Sequence, residues 1–148
     1  MLENLRVARG DLTAPEATSV LARVGLGEWL DGLPDGLDTV VGPDARTLSG
    51  GERRRLLVAR ALVSPAPLLL VDEPAEHLDP ERADALVTDL LNDPRGVVVV
   101  THRLSPLAAA DEVLLLDAGR IRARGAHTEL LATVPDYRDA WERERATD

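Results

Sequence analysis

The sequence predicts an α/β fold, and two features of its pattern lead to that prediction. From residue 48 onward, short apolar runs alternate with longer amphipathic segments. Two of the runs, Leu68–Val71 and Val97–Val100, are continuous, which is typical of parallel strands buried on both faces. Strands separated by helices form layered α/β domains with right-handed crossovers. We therefore expect a mostly parallel sheet flanked by helices, preceded by a short helical part.

The first part of the chain, residues 1–47, reads as short helices. Thr13 and Glu16 have the spacing of a capping box, and the helix that follows carries one apolar face. A turn-rich stretch, 31–36, is followed by the β-prone segment Thr39–Val41. The sequence thus divides into a helical region, 1–47, and an α/β region, 48–148.

The second part alternates regularly between the two kinds of element. Gly50–Val63 reads as a largely buried helix, and Pro80–Leu91 reads as an amphipathic one. The remaining predicted elements are two strands, Val113–Leu116 and Ile121–Ala123, and two short helices, Thr128–Ala132 and Tyr137–Arg145.

Composition limits the classes of function. The chain has 148 residues and a formal net charge of −9, so phosphate backbones repel it and wrapping of nucleic acid is not expected. It contains no cysteine, which excludes disulfides and thiolate metal sites. No apolar run approaches the roughly 18 residues that span a bilayer. All 17 basic residues are arginine, and glutamine is absent too. We expect the isolated chain to be soluble and cytoplasmic.

Polar side chains follow both continuous apolar runs. Asp72 and Glu73 come directly after the first run, and His102 follows the second. Ligands of open α/β sheets bind beyond the carboxyl ends of the strands, so these side chains are expected at one edge. One acid can hold Mg²⁺, and a second can orient or deprotonate a water that attacks a phosphate. An acid pair that merely ends a strand in solvent is the alternative, and the histidine on the neighbouring strand weakens it.

A predicted helix that begins with two glycines precedes the acid pair. Ser49 can cap this helix, while Gly50 and Gly51 let a ligand approach the free backbone N–H groups. An ordinary capped helix start explains the same residues. Asp79, followed by proline, is similarly explained as a helix cap. His77 and His127 are expected to be surface histidines.

Four segments, in this order and spacing, resemble ABC ATPase domains of the P-loop NTPase fold. They are Leu48-Ser49-Gly50-Gly51, Leu68–Asp72-Glu73-Pro74, Leu78-Asp79 and Thr101-His102. The resemblance covers nearly the whole chain and implies ATP and Mg²⁺ as ligands. It also implies that residues 2–36 belong to the end of the helical subdomain that docks on a transmembrane partner.

The resemblance assigns a role to each matching residue. Ser49, Gly50 and Gly51 match the signature loop, which contacts ATP held by the opposite subunit of a head-to-tail dimer. Asp72 matches the acid that holds magnesium, Glu73 matches the catalytic base, and His102 matches the switch histidine. Glu52 and Asp79 complete the predicted nucleotide-binding set, with Asp79 at the dimer interface.

Finer features are similar to a subgroup of the family. Residues 36–42 are similar to exporters, in which permease and ATPase are often fused into one chain on the cytoplasmic face of the membrane. Glu52, the arginines after it, and Glu76-His77-Leu78-Asp79 are similar to the bacterial thiol-reductant exporters needed for cytochrome bd assembly. Two residues depart from the common pattern: Glu52 stands where most members have glutamine, and Pro43 where many exporters have glutamate.

One element of the family is missing. A P-loop needs a lysine, and this chain has none; without glutamine the Q-loop is absent as well. The favoured hypothesis is therefore a part of an ATP-hydrolysing exporter subunit that is inactive alone. The alternative is an inactive module that only lends a signature loop to a partner. ATPases that act on chromosomes or in DNA repair share these motifs and form a third hypothesis. The acidic net charge and the exporter-like residues 36–42 make it the least favoured of the three.

Overall fold

A computed structural model of the chain describes residues 1–41 and 48–147. Gly42, the last of the exporter-like residues, and Pro43, which departs from the exporter pattern, lie outside the described residues. The helices are α1 Leu2–Arg6, α2 Ala14–Arg23, α3 Gly27–Asp31, α4 Gly50–Val63, α5 Pro80–Leu91, α6 His127–Thr133 and α7 Pro135–Thr147, with 3-10 turns at Gly36–Asp38 and Ser105–Ala109. The strands are β1 Leu68–Asp72, β2 Gly96–Val100, β3 Val113–Asp117 and β4 Arg120–Gly125.

The N-terminal part is helical, as predicted. The capping box at the start of α2 is present: the carboxylate of Glu16 accepts hydrogen bonds from the backbone N–H of Thr13 at 2.8 Å and from its hydroxyl at 2.6 Å. Leu21 and Val24 are fully buried and pack into the same apolar core as α4 and α5. Residues within 1–41 therefore share a core with the α/β part, and the division at residue 47 stays a prediction.

The β-prone segment Thr39–Val41 does not form a strand, so that prediction was wrong. It follows the 3-10 turn Gly36–Asp38 directly, and none of the strands in the described residues pairs with it. A strand is stable only with a partner, and high β-propensity alone does not supply one.

β1 and β2 form a two-stranded parallel sheet in the register Leu68↔Gly96 to Asp72↔Val100. One face is buried: Leu69 and Val71 are 4% and 7% exposed and belong to the core with α4 and α5. The opposite face is open, and its apolar side chains stand in solvent: Leu68, Leu70, Val98 and Val100. The prediction that both faces are buried was therefore wrong, because the helices of the described residues cover only one of them.

β3 and β4 form a separate antiparallel hairpin with an irregularity between Leu115 and Leu116. Val113 of this hairpin packs with α6 and α7 in a second apolar cluster that contains Leu130 and Tyr137. The α/β class is confirmed, and the strands pair as two sheets of two. Across residues 1–41 and 48–147, no helix combines the length and the apolar character that crossing a membrane requires.

Candidate functional site

The acid pair and the histidine lie together at one edge of the parallel sheet. Asp72, the last residue of β1, is in register with Val100, the last residue of β2. The backbone N–H of Glu73 donates to the carbonyl of Val100 at 2.8 Å, which extends the ladder by one step. The segments that follow β1 and β2 therefore leave the sheet side by side. The expectation that Asp72 and His102 share one edge agrees with this geometry.

Glu73 and His102 are in direct contact. Nδ1 of His102 lies 3.0 Å from Oε2 of Glu73. A carboxylate can only accept hydrogen bonds, so Nδ1 must be the donor of this bond. The side chain of Glu73 is 29% exposed and that of His102 is 76% exposed, so water reaches both groups. In neutral His102, Nε2 is then an unprotonated acceptor; in the protonated ring, it is a donor.

The backbone of Glu73 is in an unusual conformation, with φ of +45°. Non-glycine residues adopt this left-handed region rarely, and it costs on the order of 1 kcal/mol unless neighbouring contacts hold it. The contacts are the N–H bond to Val100 and two bonds to the carbonyl of Glu73. That carbonyl accepts from the N–H of Glu76 at 3.3 Å and from Nη1 of Arg54 at 3.2 Å.

The predicted signature residues form the start of α4. The hydroxyl of Ser49 accepts from the N–H of Glu52 at 3.2 Å, and Oε2 of Glu52 accepts from the N–H of Ser49 at 2.7 Å. This reciprocal capping box gives Glu52 a structural task that either glutamate or glutamine can perform. Gly50 borders open space, because a Cβ built there meets nothing within 4 Å.

Gly51 is enclosed by its surroundings, unlike Gly50. A Cβ at Gly51 would lie 3.2 Å from Nη1 of Arg55 and 3.7 Å from Cβ of His77. His77 belongs to the loop after β1 and has a φ of +69°. The start of α4 therefore packs against the loop that follows the acid pair, so the two predicted motifs share one surface of the chain.

Asp79 caps α5, as the structural explanation of this residue predicts. Its Oδ1 accepts from the N–H of Arg82 at 3.0 Å, and Pro80 occupies the first turn. Its side chain is 53% exposed. A role at a dimer interface stays a prediction for this residue.

The chemistry of the site fits a hydrated divalent ion. Among the described residues, no three His, Cys, Asp or Glu side chains group closely enough to hold a metal. Mg²⁺ commonly uses only one or two protein carboxylates and takes its other oxygens from phosphate and water. Asp72, exposed at the end of β1, offers one such carboxylate.

The structure also corrects one residue and adds another. His127 is not a surface histidine: it is 7% exposed, and its Nδ1 lies 2.8 Å from the hydroxyl of Tyr137. Burial lowers the pKa of His127 and raises the pKa of Tyr137 to about 12. The helical spacing of His127 and Leu130 on one apolar face could have indicated this. Arg54 entered the sequence analysis only as one of the arginines after Glu52, and its contact with Glu73 was not predicted.

The chain is similar to known proteins over nearly its whole length. The family model described as ABC transporter matches residues 3–76. The mycobactin import ATP-binding/permease protein IrtB of Mycolicibacterium thermoresistibile is 42% identical over 146 residues, covering 97% of this chain and 25% of that protein. The ATP-dependent lipid A-core flippase of Vibrio cholerae is 41% identical over 132 residues, covering 88% and 23%.

A solved structure of a bacterial Atm1-family ABC exporter with ATP bound matches the fold. Its TM-score is 0.78 at 32% identity, and the match covers 97% of this chain and 25% of the exporter chain. The chain thus spans about a quarter of the length of the curated relatives that it matches.

Proposed function

Because the chain belongs to the ABC transporter family, we propose that it forms the C-terminal part of the ATPase of an ABC exporter and couples ATP hydrolysis to transport. The observation that carries this proposal is the contact between Glu73 and His102, 3.0 Å apart at the ends of two parallel strands. A carboxylate and an imidazole at this edge are suited to activating a water and meeting a phosphate.

Each residue of the site has a distinct task in the proposed reaction. Glu73 accepts the proton of the attacking water, and His102 holds the carboxylate of Glu73 through Nδ1. In its protonated form, His102 can donate from Nε2 to the γ-phosphate. Asp72 is the residue that would hold Mg²⁺, which when bound neutralises phosphate charge and orients the leaving group.

The start of α4 is proposed to serve a second ATP, bound by the opposite subunit of a head-to-tail dimer. Ser49 contributes its hydroxyl, and Gly50 and Gly51 contribute the first backbone N–H groups of the helix, to which phosphate is attracted. Glu52 and Asp79 are proposed to border the same nucleotide. The open space at Gly50 and the exposure of Ser49 support an approach by a partner.

The proposed ATPase needs a P-loop from elsewhere, since the chain has no lysine. The open face of the β1–β2 sheet supports this: Leu68 is 59% exposed and Leu70 is 72% exposed, an unfavourable arrangement for large apolar side chains in water. A cavity of about 360 Å³ is lined by His102 and by Leu116 and Asp117 at the end of β3. A further part of an ATPase domain would cover this face.

We propose a membrane setting for the complete assembly. A permease domain, in the same parent polypeptide as in the ATP-binding/permease relative, would hold the ATPase at the cytoplasmic face of the bacterial membrane. The similarity of the segment Glu76–Asp79 to thiol-reductant exporters supports that substrate class for the transporter.

The alternative function is an inactive module that lends its signature loop to an intact ATPase. The missing lysine motivates it. The two functions differ in one respect: in the alternative, Glu73 has no role in turnover at any site.

The test combines this chain with the P-loop-bearing part of the ATPase domain of the mycobactin importer, ending where its similarity to this chain begins. We expect no hydrolysis from the chain alone and Mg²⁺-dependent hydrolysis from the mixture. Glu73→Gln should abolish turnover while ATP binding persists, because only the proton acceptor is lost.

The matched control is Glu112→Gln, which removes another carboxylate, one paired with Arg124 at the β3–β4 hairpin. This variant should hydrolyse ATP like the unmodified chain. A mixture that forms a stable complex and binds ATP without turnover would favour the alternative function. Turnover that is unchanged in Glu73→Gln would refute Glu73 as the base.

A further inference from the structure

Arg54 lies on α4, four residues after Gly50, and reaches the turn that follows β1. Its Nη1 is 3.2 Å from the carbonyl oxygen of Glu73 and 2.7 Å from Oε2 of Glu76. We propose that Arg54 is a positioning residue, which holds the Glu73 backbone so that the Glu73 carboxylate meets His102. The inference deepens the proposed function and rests on it for its catalytic meaning.

The conformation of Glu73 requires external support. A φ of +45° is unfavourable for a glutamate, because its Cβ causes steric strain that glycine, which has no Cβ, would avoid. Its N–H is held by Val100 of β2, and its carbonyl is the remaining backbone group that can be fixed. Arg54 and the N–H of Glu76 use both lone pairs of that carbonyl.

Of the two Arg54 contacts, the hydrogen bond to the carbonyl of Glu73 is the stronger constraint on the turn. The ion pair with Glu76 joins side chains that are 41% and 43% exposed, and such pairs contribute little to stability. The bond to the carbonyl of Glu73 is partly buried and comes from a charged donor, which makes it stronger than a neutral bond. Arg54 therefore clamps the turn Glu73–Glu76 chiefly through its first residue.

This contact joins two sites that the proposed dimer keeps apart. The start of α4 faces the ATP of the opposite subunit, whereas Glu73 serves the ATP of its own subunit. Because Arg54 links α4 to Glu73, a shift of α4 on engaging a partner would move the carbonyl of Glu73. Because the N–H of Glu73 is fixed by Val100, a movement of the carbonyl changes the φ and ψ of Glu73, and a change in φ rotates its side chain about the N–Cα bond.

The test reads the tautomer of His102 by ¹⁵N NMR of the 148-residue chain at pH 9. The carboxylate of Glu73 favours protonation at Nδ1. We expect His102 to be Nδ1-protonated in the unmodified chain and to lose that preference in Arg54→Met. Glu73→Ala gives the reference for complete loss. Arg54→Met removes the hydrogen bond to the carbonyl of Glu73, while the amide of Glu73 keeps its own bond to Val100. Loss of one hydrogen bond should destabilise the turn enough for this amide to exchange about fivefold faster.

Two internal controls accompany the variant. Arg60→Met removes another cation from α4, six residues later, and should leave His102 unchanged. His127, bonded to Tyr137 in the second apolar cluster, should keep its own signals in every variant. An unchanged His102 tautomer in Arg54→Met, or the same loss in Arg60→Met, would overturn the proposal.

A measurement without any substitution guards against an unfolded variant. A scalar coupling across the hydrogen bond, between the Arg54 guanidinium nitrogen and the Glu73 carbonyl carbon, should be detectable in the unmodified chain. Its absence would overturn the proposal. These measurements contain no nucleotide, so a failed ATPase assay would sink the proposed function and leave the Arg54 result standing.

Discussion

Asp93 provides a measurable test of how the chain is held together between α5 and β2. Its side chain is 4% exposed and accepts three hydrogen bonds from Arg95: from Nε to Oδ1 at 2.7 Å, from Nη2 to Oδ2 at 2.9 Å and from the backbone N–H to Oδ1 at 3.2 Å. Arg95 also donates to the carbonyl of Ser64 at 2.8 Å, after α4, and Arg23 of α2 lies 3.7 Å from Asp93. Through Arg95 and Arg23, this carboxylate is linked to the end of α4 and to α2.

The effect of removing it can be worked out from its pKa. The hydrogen bond from the Arg95 side chain is the largest cause that lowers the pKa of Asp93, from an ordinary 3.8 to about 2, against the opposing effect of burial. The native state thus favours the carboxylate, and its contribution is present above pH 4 and is lost as the pH falls towards 2. The shift in pKa adds about 2 kcal/mol to the free energy of unfolding at pH 7 and about half of that at pH 3.

The assay is urea unfolding of Asp93→Asn at pH 7 and pH 3, followed by tryptophan fluorescence. We expect a loss of about 2 kcal/mol at pH 7 and a clearly smaller loss at pH 3. The control is Asp89→Asn, which breaks a more exposed pair with Arg23 and should cost less than about 1 kcal/mol. Equal losses at both pH values would refute the assignment of this stability to the ionised carboxylate.

Two further predictions concern the sheet and the second apolar cluster. Leu69→Ala should lose about 2–5 kcal/mol in urea unfolding, because Leu69 is buried, whereas Leu70→Asp should change the stability of the isolated chain by less than about 1 kcal/mol; similar losses at both positions would contradict the one-sided burial of β1. Tyr137→Phe should cost about 1–2 kcal/mol, because it leaves Nδ1 of buried His127 without its partner. Since burial lowers the pKa of His127, its protonation in the unfolded state should reduce stability as the pH falls below about 6.5, and His127→Phe should weaken that slope in a pH series.

Much of the fold was predictable because local rules decided it. The capping boxes, the continuous apolar runs and the Asp79-Pro80 helix start determine their elements within a few neighbouring residues. The both-sided burial of β1 was not predictable in the same way. The apolar pattern of Leu68–Val71 indicates what a strand can bury, whereas the helices that are present decide which face is covered.

In the candidate site, too, locally determined features were predictable and packing-dependent ones were not. The positions of Asp72, Glu73 and His102 follow from the ends of the strands that carry them. Arg54 was beyond reach, because its contact with Glu73 spans 19 residues and depends on how α4 packs against the loop after β1. For His127, the apolar face that it shares with Leu130 was a local signal, whereas its hydrogen-bond partner Tyr137 lies ten residues later on another helix.

Within residues 1–41 and 48–147, nothing covers the open face of the β1–β2 pair and no third strand pairs with its edges, which affects how the isolated chain behaves in solution. An apolar strand with an unpaired edge is a template on which identical copies can stack, so we expect the isolated chain to aggregate. Its net charge of −9 at neutral pH opposes such association by mutual repulsion. Acidification or concentrated salt weakens that repulsion, so purification should avoid both until a partner shields the face.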